Sequence, residues 1–184
     1  GRSAAMKGKN NYSDIVVPIL DSCSDFMWFI DRDYTDQLYV SEGFERVWQR
    51  PVSVLYDNPD AWYDFLHHAD FTLSKRVHAR RMTYASDRAG SYEIFRIVRP
   101  DGQVRWVSEY AFSLRDHEGN VRGFVGVGRD VTDTIPQNMN SISINDCDMH
   151  KALSGSLPAR EAIIPAFFTQ FAEKSRDVFW VRSS

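Results

Sequence analysis

The sequence predicts an α+β fold, in which one five-stranded antiparallel sheet carries short helices on one face and follows an N-terminal amphipathic helix. Two short apolar segments come first, helical patterns follow, and three segments of alternating apolar and polar residues come last. Strands on both sides of a block of helices are typical of a single antiparallel sheet with helices packed on one side. The three closing strands, joined by tight turns, indicate an antiparallel meander.

An amphipathic helix is predicted over residues 12–23. Its apolar residues share one helical face, and they are Ile15, Val16, Ile19, Leu20 and Cys23. This face needs cover, which either the chain's own sheet or the sheet of a second copy can provide. We therefore expect a homodimer if the second copy provides the cover.

The first two strands and the central helices follow from short apolar runs between turn residues. Segments 26–30 and 38–40 are predicted strands, and a helix carrying Phe44 and Trp48 begins at Ser41. A longer helix is predicted over 71–85 and ends before a left-handed glycine, Gly90.

The last three strands are predicted over 92–99, 104–114 and 121–131. Turn residues in the two connections, an Asp-Gly pair in the first and Gly119 in the second, favour tight hairpins. Alternation along the middle strand puts its aromatic residues, including Phe112, on one face and Glu109 on the other.

Composition limits the kinds of partner. The chain has 184 residues and a net charge of −3 without a long basic block, so no nucleic-acid partner is predicted. No apolar run approaches the ~18 residues of a membrane span, so no membrane contact is predicted for this segment. Cys23 and Cys147 are the two cysteines and lie far apart, which favours a reducing, cytoplasmic location.

An internal repeat indicates a second domain. The apolar stripe at 163–171 repeats that of the first helix, and 176–181 repeats the pattern of 24–29, which is Asp, two apolar residues, Trp and one more apolar residue. We interpret the repeat as the start of a second copy. The predicted division is a tag-derived, disordered tail (1–11), the first domain (12–133), a linker (134–160), and the helix and first strand of a truncated second domain (161–184).

A series of short motifs stands in order between residues 21 and 133. They include Tyr39-Val40-Ser41, Phe44-Glu45-Arg46-Val47-Trp48, Tyr92-Glu93-Ile94-Phe95-Arg96, Val104-Arg105-Trp106-Val107 and Asp130-Val131-Thr132. Each motif is weak alone, but together they resemble a PAS sensory domain with its C-terminal PAC segment. The sequence is most similar to the subclass common in bacterial sensor histidine kinases and diguanylate cyclases.

The resemblance implies a cytoplasmic regulatory module of a larger signal-transduction protein, such as a two-component system, and not an enzyme. Such a module binds a small ligand or relays a conformational signal to an output domain in the same chain, for example a kinase or cyclase outside this sequence. The sequence departs from the family at His67-His68-Ala69-Asp70 and at Thr134-Ile135-Pro136. The second departure argues against a simple helical lever between domains.

A ligand pocket is predicted between the sheet and the helices. The candidate wall residues are aromatic: Trp28, Phe44, Trp48, Phe65, Phe95 and Phe112. If these side chains leave about 300 Å³ or more, a small molecule can bind, and if they fill the space no ligand binds.

Signal relay is predicted at the end of the last strand. The resemblance implies that Asp130 and Thr132 hold the strand end against neighbouring backbone and a basic side chain. Arg105, next to Trp106, is the candidate basic partner. A conformational change in the core would be transmitted to the following part of the chain at this point.

Catalytic residues and metal ligands are not predicted. The sequence has neither a Gly-rich phosphate loop after a strand nor a Gly-x-Ser-x-Gly elbow. His67 and His68 with Asp70, and the pair Cys147 and His150, are interpreted as structural, because a structural zinc site needs four ligands.

The cofactor prediction is that none is bound, with two alternatives left open. The resemblance implies the first, a haem held by His78, because haem-binding PAS domains take an axial His from that helix. The other is a non-covalent flavin near Trp28, Trp48 and Trp62. A flavin–cysteine adduct is excluded, because neither cysteine lies in the central helices. A ligand-free dimerisation or interaction module is the remaining functional alternative.

Overall fold

A computed structural model describes residues 13–71 and 91–135. Within them the predicted fold class is confirmed, because five strands form one antiparallel sheet in the order β2-β1-β5-β4-β3. The strands are β1 (Phe26–Asp31), β2 (Gln37–Val40), β3 (Ser91–Val98), β4 (Val104–Arg115) and β5 (Val121–Asp130).

Short helices connect the strands. The α-helices are α1 (Ser13–Ser22), α2 (Gly43–Trp48) and α3 (Ser53–Asp57), and 3₁₀ helices span Ala61–Phe65, His68–Asp70 and Thr132–Thr134. The two predicted hairpins are present, and Gly102 and Gly119 adopt the left-handed backbone that their turns require, with φ of +83° and +90°.

Two glycines of β5 determine how the inner face of the sheet packs. Gly126 pairs with Trp28 of β1, and Gly128 pairs with Phe26. A Cβ atom at either glycine would lie within the facing aromatic ring. The missing side chains therefore let both rings lie flat across β5, which is the close approach that glycine in a strand indicates.

The hydrophobic core lies between this inner face and the short helices. Its residues include Phe26, Trp28 and Phe124 from the sheet, and Phe44 and Trp48 from α2. The helices therefore cover the inner face.

Helix α1 covers part of the opposite face of the same sheet. Leu20 and Cys23, near its end, pack with Tyr110 and Val127. The end of the apolar stripe, from Ile19 to Cys23, is thus covered within its own chain. Ile19, in the same helix, is 2% exposed.

Several predictions lie outside the described residues. These are the helix over 71–85 beyond Phe71, His78, Cys147, His150, the linker over 136–160 and the second domain over 161–184.

Candidate functional site

A small cavity lies between the inner face of the sheet, helix α2 and the segment after α3. Its volume is about 40 Å³, enough for about three water molecules at roughly 10–15 Å³ each. The lining residues are Phe26, Trp28, Ile30, Tyr34, Gln37, Phe44, Trp48, Leu55, Pro59, Asp60, Trp62 and Glu109.

The predicted wall residues fall into three groups. Trp28, Phe44 and Trp48 line the cavity. Phe65 and Phe95 pack behind Trp48, with ring centroids 6.3 Å and 6.2 Å from it, in the same aromatic cluster.

Phe112, the sixth predicted wall residue, lies elsewhere. Its ring packs on the outer face beside Tyr110, with centroids 5.9 Å apart. The alternation along β4 brings Glu109 and Ala111 to the inner face instead. The prediction for Phe112 is therefore corrected: helix α1 covers an outer face that is itself aromatic, so aromatic character does not identify the cavity side.

Glu109 is the main cavity residue that was not predicted from the sequence. Its side chain is buried, and it accepts a hydrogen bond from Trp28 Nε1 at 2.9 Å. This bond joins β1 to β4 across the intervening strand β5, where Gly126 leaves room for the indole. The available signal was an acidic residue in the middle of a central strand, which the alternation along the strand had assigned to a polar face.

Gln37 and Asp60 supply further polar groups. The Gln37 amide nitrogen donates to the backbone oxygens of Phe29 and Tyr39 at 2.8 Å and 2.9 Å. Both of its hydrogens are thereby used, so the amide contributes an acceptor oxygen to any further contact. Asp60 is exposed, at the solvent side of the cavity.

The cavity lining is acidic and aromatic. Of the described residues that line it, Glu109 and Asp60 carry charge, and none is Lys, Arg or His. The walls include three indole rings, from Trp28, Trp48 and Trp62. Trp48 stacks on Phe44 with centroids 5.2 Å apart, which fixes its ring in place.

The predicted relay residues meet at the end of β5. Arg105 Nε donates to Asp130 Oδ2 at 2.8 Å, and the Thr132 hydroxyl donates to Asp130 Oδ1 at 2.6 Å. The Thr132 hydroxyl oxygen in turn accepts from the backbone nitrogen of Trp106 at 2.8 Å, and Val131 N donates to Trp106 O at 2.9 Å. These contacts tie the chain after β5 to β4.

The charge on Asp130 is stabilised by these contacts. Burial acts to raise the pKa of Asp130, but hydrogen bonds from Thr132 and the Arg105 guanidinium outweigh it and hold the pKa below its usual value.

Arg99 extends this cluster to the helices and was not selected from the sequence. Its guanidinium lies 3.4 Å from Asp130 Oδ2 and also donates to the backbone oxygen of Val47 in α2 at 2.8 Å. The strand end is therefore linked to the same helix that supplies Phe44 and Trp48 to the cavity.

Asp70 forms a structural ion pair. Arg96 donates to its two oxygens at 2.6 Å and 3.0 Å, and both side chains are at most 4% exposed. His67 accepts a hydrogen bond from Ala69 N at its Nδ1 atom, and burial together with the nearby Arg96 lowers the pKa of His67. Among residues 13–71 and 91–135, no three His, Cys, Asp or Glu side chains are placed to share a metal ion.

Comparison with known families decides the classification. The sequence model of the PAS fold matches residues 37–128, half of the chain. This chain belongs to the PAS family. The match includes the cavity residues of β2, α2 and β4, and it ends two residues before Asp130. PAS domains are regulatory modules and not catalytic ones.

Several solved structures are similar to this chain. A PAS domain from Colwellia psychrerythraea is 14% identical, with a TM-score of 0.52 over 63% of this chain and 93% of its own. The N-terminal domain of a diguanylate cyclase with PAS/PAC sensor from Marinobacter aquaeolei is 16% identical, with a TM-score of 0.48 over 59% of this chain and 95% of its own.

A LOV domain from a blue-light activated histidine kinase of Erythrobacter litoralis is 20% identical, with a TM-score of 0.46 over 59% of this chain and 96% of its own. No curated protein sequence matches this chain. Within the described part of the PAS chain, no helix combines the length and apolar character needed to cross a membrane.

Proposed function

We propose that this PAS domain is the sensory module of a larger cytoplasmic signalling protein, in which a change at the cavity is relayed through β4 to the strand end at Asp130. The observation that carries the proposal is that one strand serves both sites. Glu109 lines the cavity, and Arg105 on the same face of β4 holds Asp130. Val107, between them, is the register partner of Asp130.

The relay works as a population shift. A ligand that binds one arrangement of Trp28 and Glu109 more tightly than another favours the corresponding position of β4. Because Arg105 and the backbone of Trp106 hold Asp130 and Thr132, the same displacement changes the geometry of the chain that leaves the sheet. An output domain in the same polypeptide, such as a kinase or cyclase, would receive this change.

The volume of the cavity limits the ligand. At about 40 Å³, it is far smaller than the roughly 300 Å³ at which small-molecule pockets begin. The volume that the described residues leave does not favour a haem or a flavin there, and His78, the candidate haem ligand, lies outside those residues. They leave room for a small chemical group.

The small volume also favours a second candidate function. In a ligand-free module, the filled core would serve only stability, and the domain would act through contacts with a second copy or another domain. The two candidates differ in whether the cavity and the strand end are coupled.

Asp130→Asn tests that coupling, because energetic coupling between two sites is reciprocal. The relay predicts that this variant shifts the indole N–H resonance of Trp28 in an NMR spectrum of the folded chain. The matched control is Asp133→Asn, which removes the same charge from an exposed neighbour. Equal spectra for the two variants in the region of the Trp28 resonance would contradict the relay and favour the ligand-free module.

A further inference from the structure

We propose that the domain has a second input, at helix α1, which reaches the strand end at Asp130 through the ion pair between Asp25 and Arg129. The inference goes beyond the proposed function, because this route starts on the outer face of the sheet and does not use the cavity. Three features carry it, namely the ion pair, the way in which α2 holds the connection after α1, and the position of Arg129 next to Asp130.

The ion pair joins the residue before β1 to the end of β5. Phe26, the first residue of β1, is the register partner of Gly128. The antiparallel register therefore brings Asp25 opposite Arg129. Arg129 Nε donates to Asp25 Oδ1 at 2.8 Å, and Arg129 Nη2 donates to Asp25 Oδ2 at 2.6 Å. Two parallel hydrogen bonds of this kind fix the orientation of both side chains.

Burial makes this ion pair hard to break. The side chain of Asp25 is 3% exposed, and that of Arg129 is 26% exposed. Removing the cation from a buried carboxylate is strongly destabilising. We therefore expect a displacement of the backbone at Asp25 to carry Arg129 with it, and not to separate the two side chains.

Helix α2 holds the short connection between α1 and β1. Arg46 of α2 donates to the backbone oxygens of Asp21 and Cys23. It thereby holds the backbone of the connection, independently of the Asp21 side chain. The backbone of Asp25 packs so closely on α2 that a Cβ atom at Gly43 would overlap the Asp25 oxygen. Because the connection cannot lengthen or bend freely, a movement of α1 also displaces Asp25.

The end of α1 and the ion pair act on the same part of β5. Leu20 and Cys23 pack with Val127 on the outer face of the sheet. Arg129 follows two residues later on the same face, because successive side chains of a strand alternate between faces. The next residue along the chain is Asp130. A displacement that begins at α1 therefore reaches the last residue of β5 within one peptide unit of the ion pair.

The strand end passes this displacement to the chain that follows. Asp130 accepts hydrogen bonds from Arg105 and from the Thr132 hydroxyl. Both contacts depend on where β5 places the Asp130 carboxylate. A contact that binds α1 more tightly in one position than in another therefore favours one geometry of residues 131–135, as a population shift.

The test is hydrogen exchange of the Trp106 amide, which donates to the Thr132 hydroxyl, in the full chain with Ile19→Ala. Ile19 is buried in α1 at 2% exposure. We expect exchange at least about threefold faster, relative to amides that exchange only by global unfolding. If Ile19→Ala does not fold, Ile19→Val is used at the same position, with an expected increase of about twofold. Val17→Ala, at a partly buried position of the same helix, is expected to leave the Trp106 amide unchanged.

Arg129→Lys separates the ion pair from the other contacts of α1, because lysine keeps the charge and loses the paired hydrogen bonds. In this background, we expect Ile19→Ala to leave the relative exchange of the Trp106 amide unchanged. Arg122→Lys is the matched control, since Arg122 is exposed and lies on the same strand. In the control background, the full effect of Ile19→Ala is expected.

Two results would overturn the inference. One is unchanged relative exchange of the Trp106 amide in the α1 variant, and the other is an equal effect of that variant in the Arg129→Lys and Arg122→Lys backgrounds. Neither result affects the test of the cavity relay, because the Trp28 resonance in Asp130→Asn is read without any change in α1. Equal Trp28 resonances in Asp130→Asn and Asp133→Asn would remove the cavity relay and leave the route from α1 standing.

Discussion

Asp130 keeps its charge at a half-buried position where burial alone would disfavour it. Its pKa lies below the usual 3.8 because hydrogen bonds from Thr132 and the Arg105 guanidinium outweigh the effect of burial. The unfolded chain therefore takes up this proton more readily than the folded chain does. The resulting stabilisation is present above the unfolded pKa and is lost as the pH falls through the folded pKa.

Asp130→Asn is expected to lower the free energy of unfolding by about 1–3 kcal/mol at neutral pH, because charged hydrogen bonds are lost. It should also flatten the fall in stability below about pH 5. Urea unfolding across this pH range measures both effects. Asp133→Asn should retain the unmodified curve, and a loss of the same size in Asp133→Asn would indicate a general charge effect in place of the specific contacts.

The residues at the strand end could be predicted from the sequence. The cavity residues could be predicted only in part. The contacts of Asp130, Thr132 and Arg105 were expected because the resemblance to the PAS family implied them. Arg99 was not, because its partners Val47 and Asp130 come from two other elements. Glu109 was missed because alternation tells which residues share a face, but not which face is enclosed.

At the scale of elements, β5 lies between β1 and β4 and determines whether their side chains can contact each other. Gly126 lets the Trp28 indole cross β5 and reach Glu109. Gly126→Ala is expected to destabilise the fold by about 1–3 kcal/mol, because the new methyl group overlaps the ring. Chemical denaturation measures the cost, and the Trp28 indole resonance reports whether the hydrogen bond to Glu109 is lost.

A double-mutant cycle separates this overlap from a general effect of alanine in the strand. In a Trp28→Leu background, the ring is absent, so Gly126→Ala should cost less than in the unmodified chain. Equal costs in both backgrounds would show that the ring is not the reason for the glycine.

Helix α1 stabilises the outer face of the sheet. Ile19 is 2% exposed, whereas Val17 in the same helix is only partly buried. Ile19→Ala is expected to cost about 2–5 kcal/mol and Val17→Ala clearly less, since only the first leaves a cavity in a packed layer. Thermal unfolding of the two variants distinguishes them, and similar losses would mean that α1 does not pack on the sheet through this face.

The strands were predictable because period-two alternation and turn residues are local signals, and the three hairpin-connected strands have nearly the expected bounds. Phe112 was misplaced for a reason that lies beyond one strand. Both faces of the sheet are covered, the inner one by α2 and α3 and the outer one partly by α1. Aromatic residues are therefore needed on both, and their presence does not indicate a cavity.

At the scale of the whole molecule, the cavity and the strand end are joined by β4 and by Arg99. The cavity volume depends on how the rings of β1, α2 and the 3₁₀ helix Ala61–Phe65 pack, so composition and spacing could not predict it. The sheet order follows from the PAS fold, which places the last strand between the first strand and β4. Trp28 and Glu109 meet across β5. A change in the distance between them therefore acts on β5, whose end carries Asp130.

The most direct test of the account is amide hydrogen exchange at Val131 and Trp106 in Trp28→Phe, which cannot donate to Glu109. The relay predicts exchange at least about threefold faster there, relative to amides that exchange only by global unfolding. Tyr39→Phe, which removes the hydrogen bond of a buried hydroxyl to Asp21 on the far side of the sheet, should leave both amides unchanged. Unmodified exchange at Val131 and Trp106 in Trp28→Phe would contradict transmission from the cavity to the strand end.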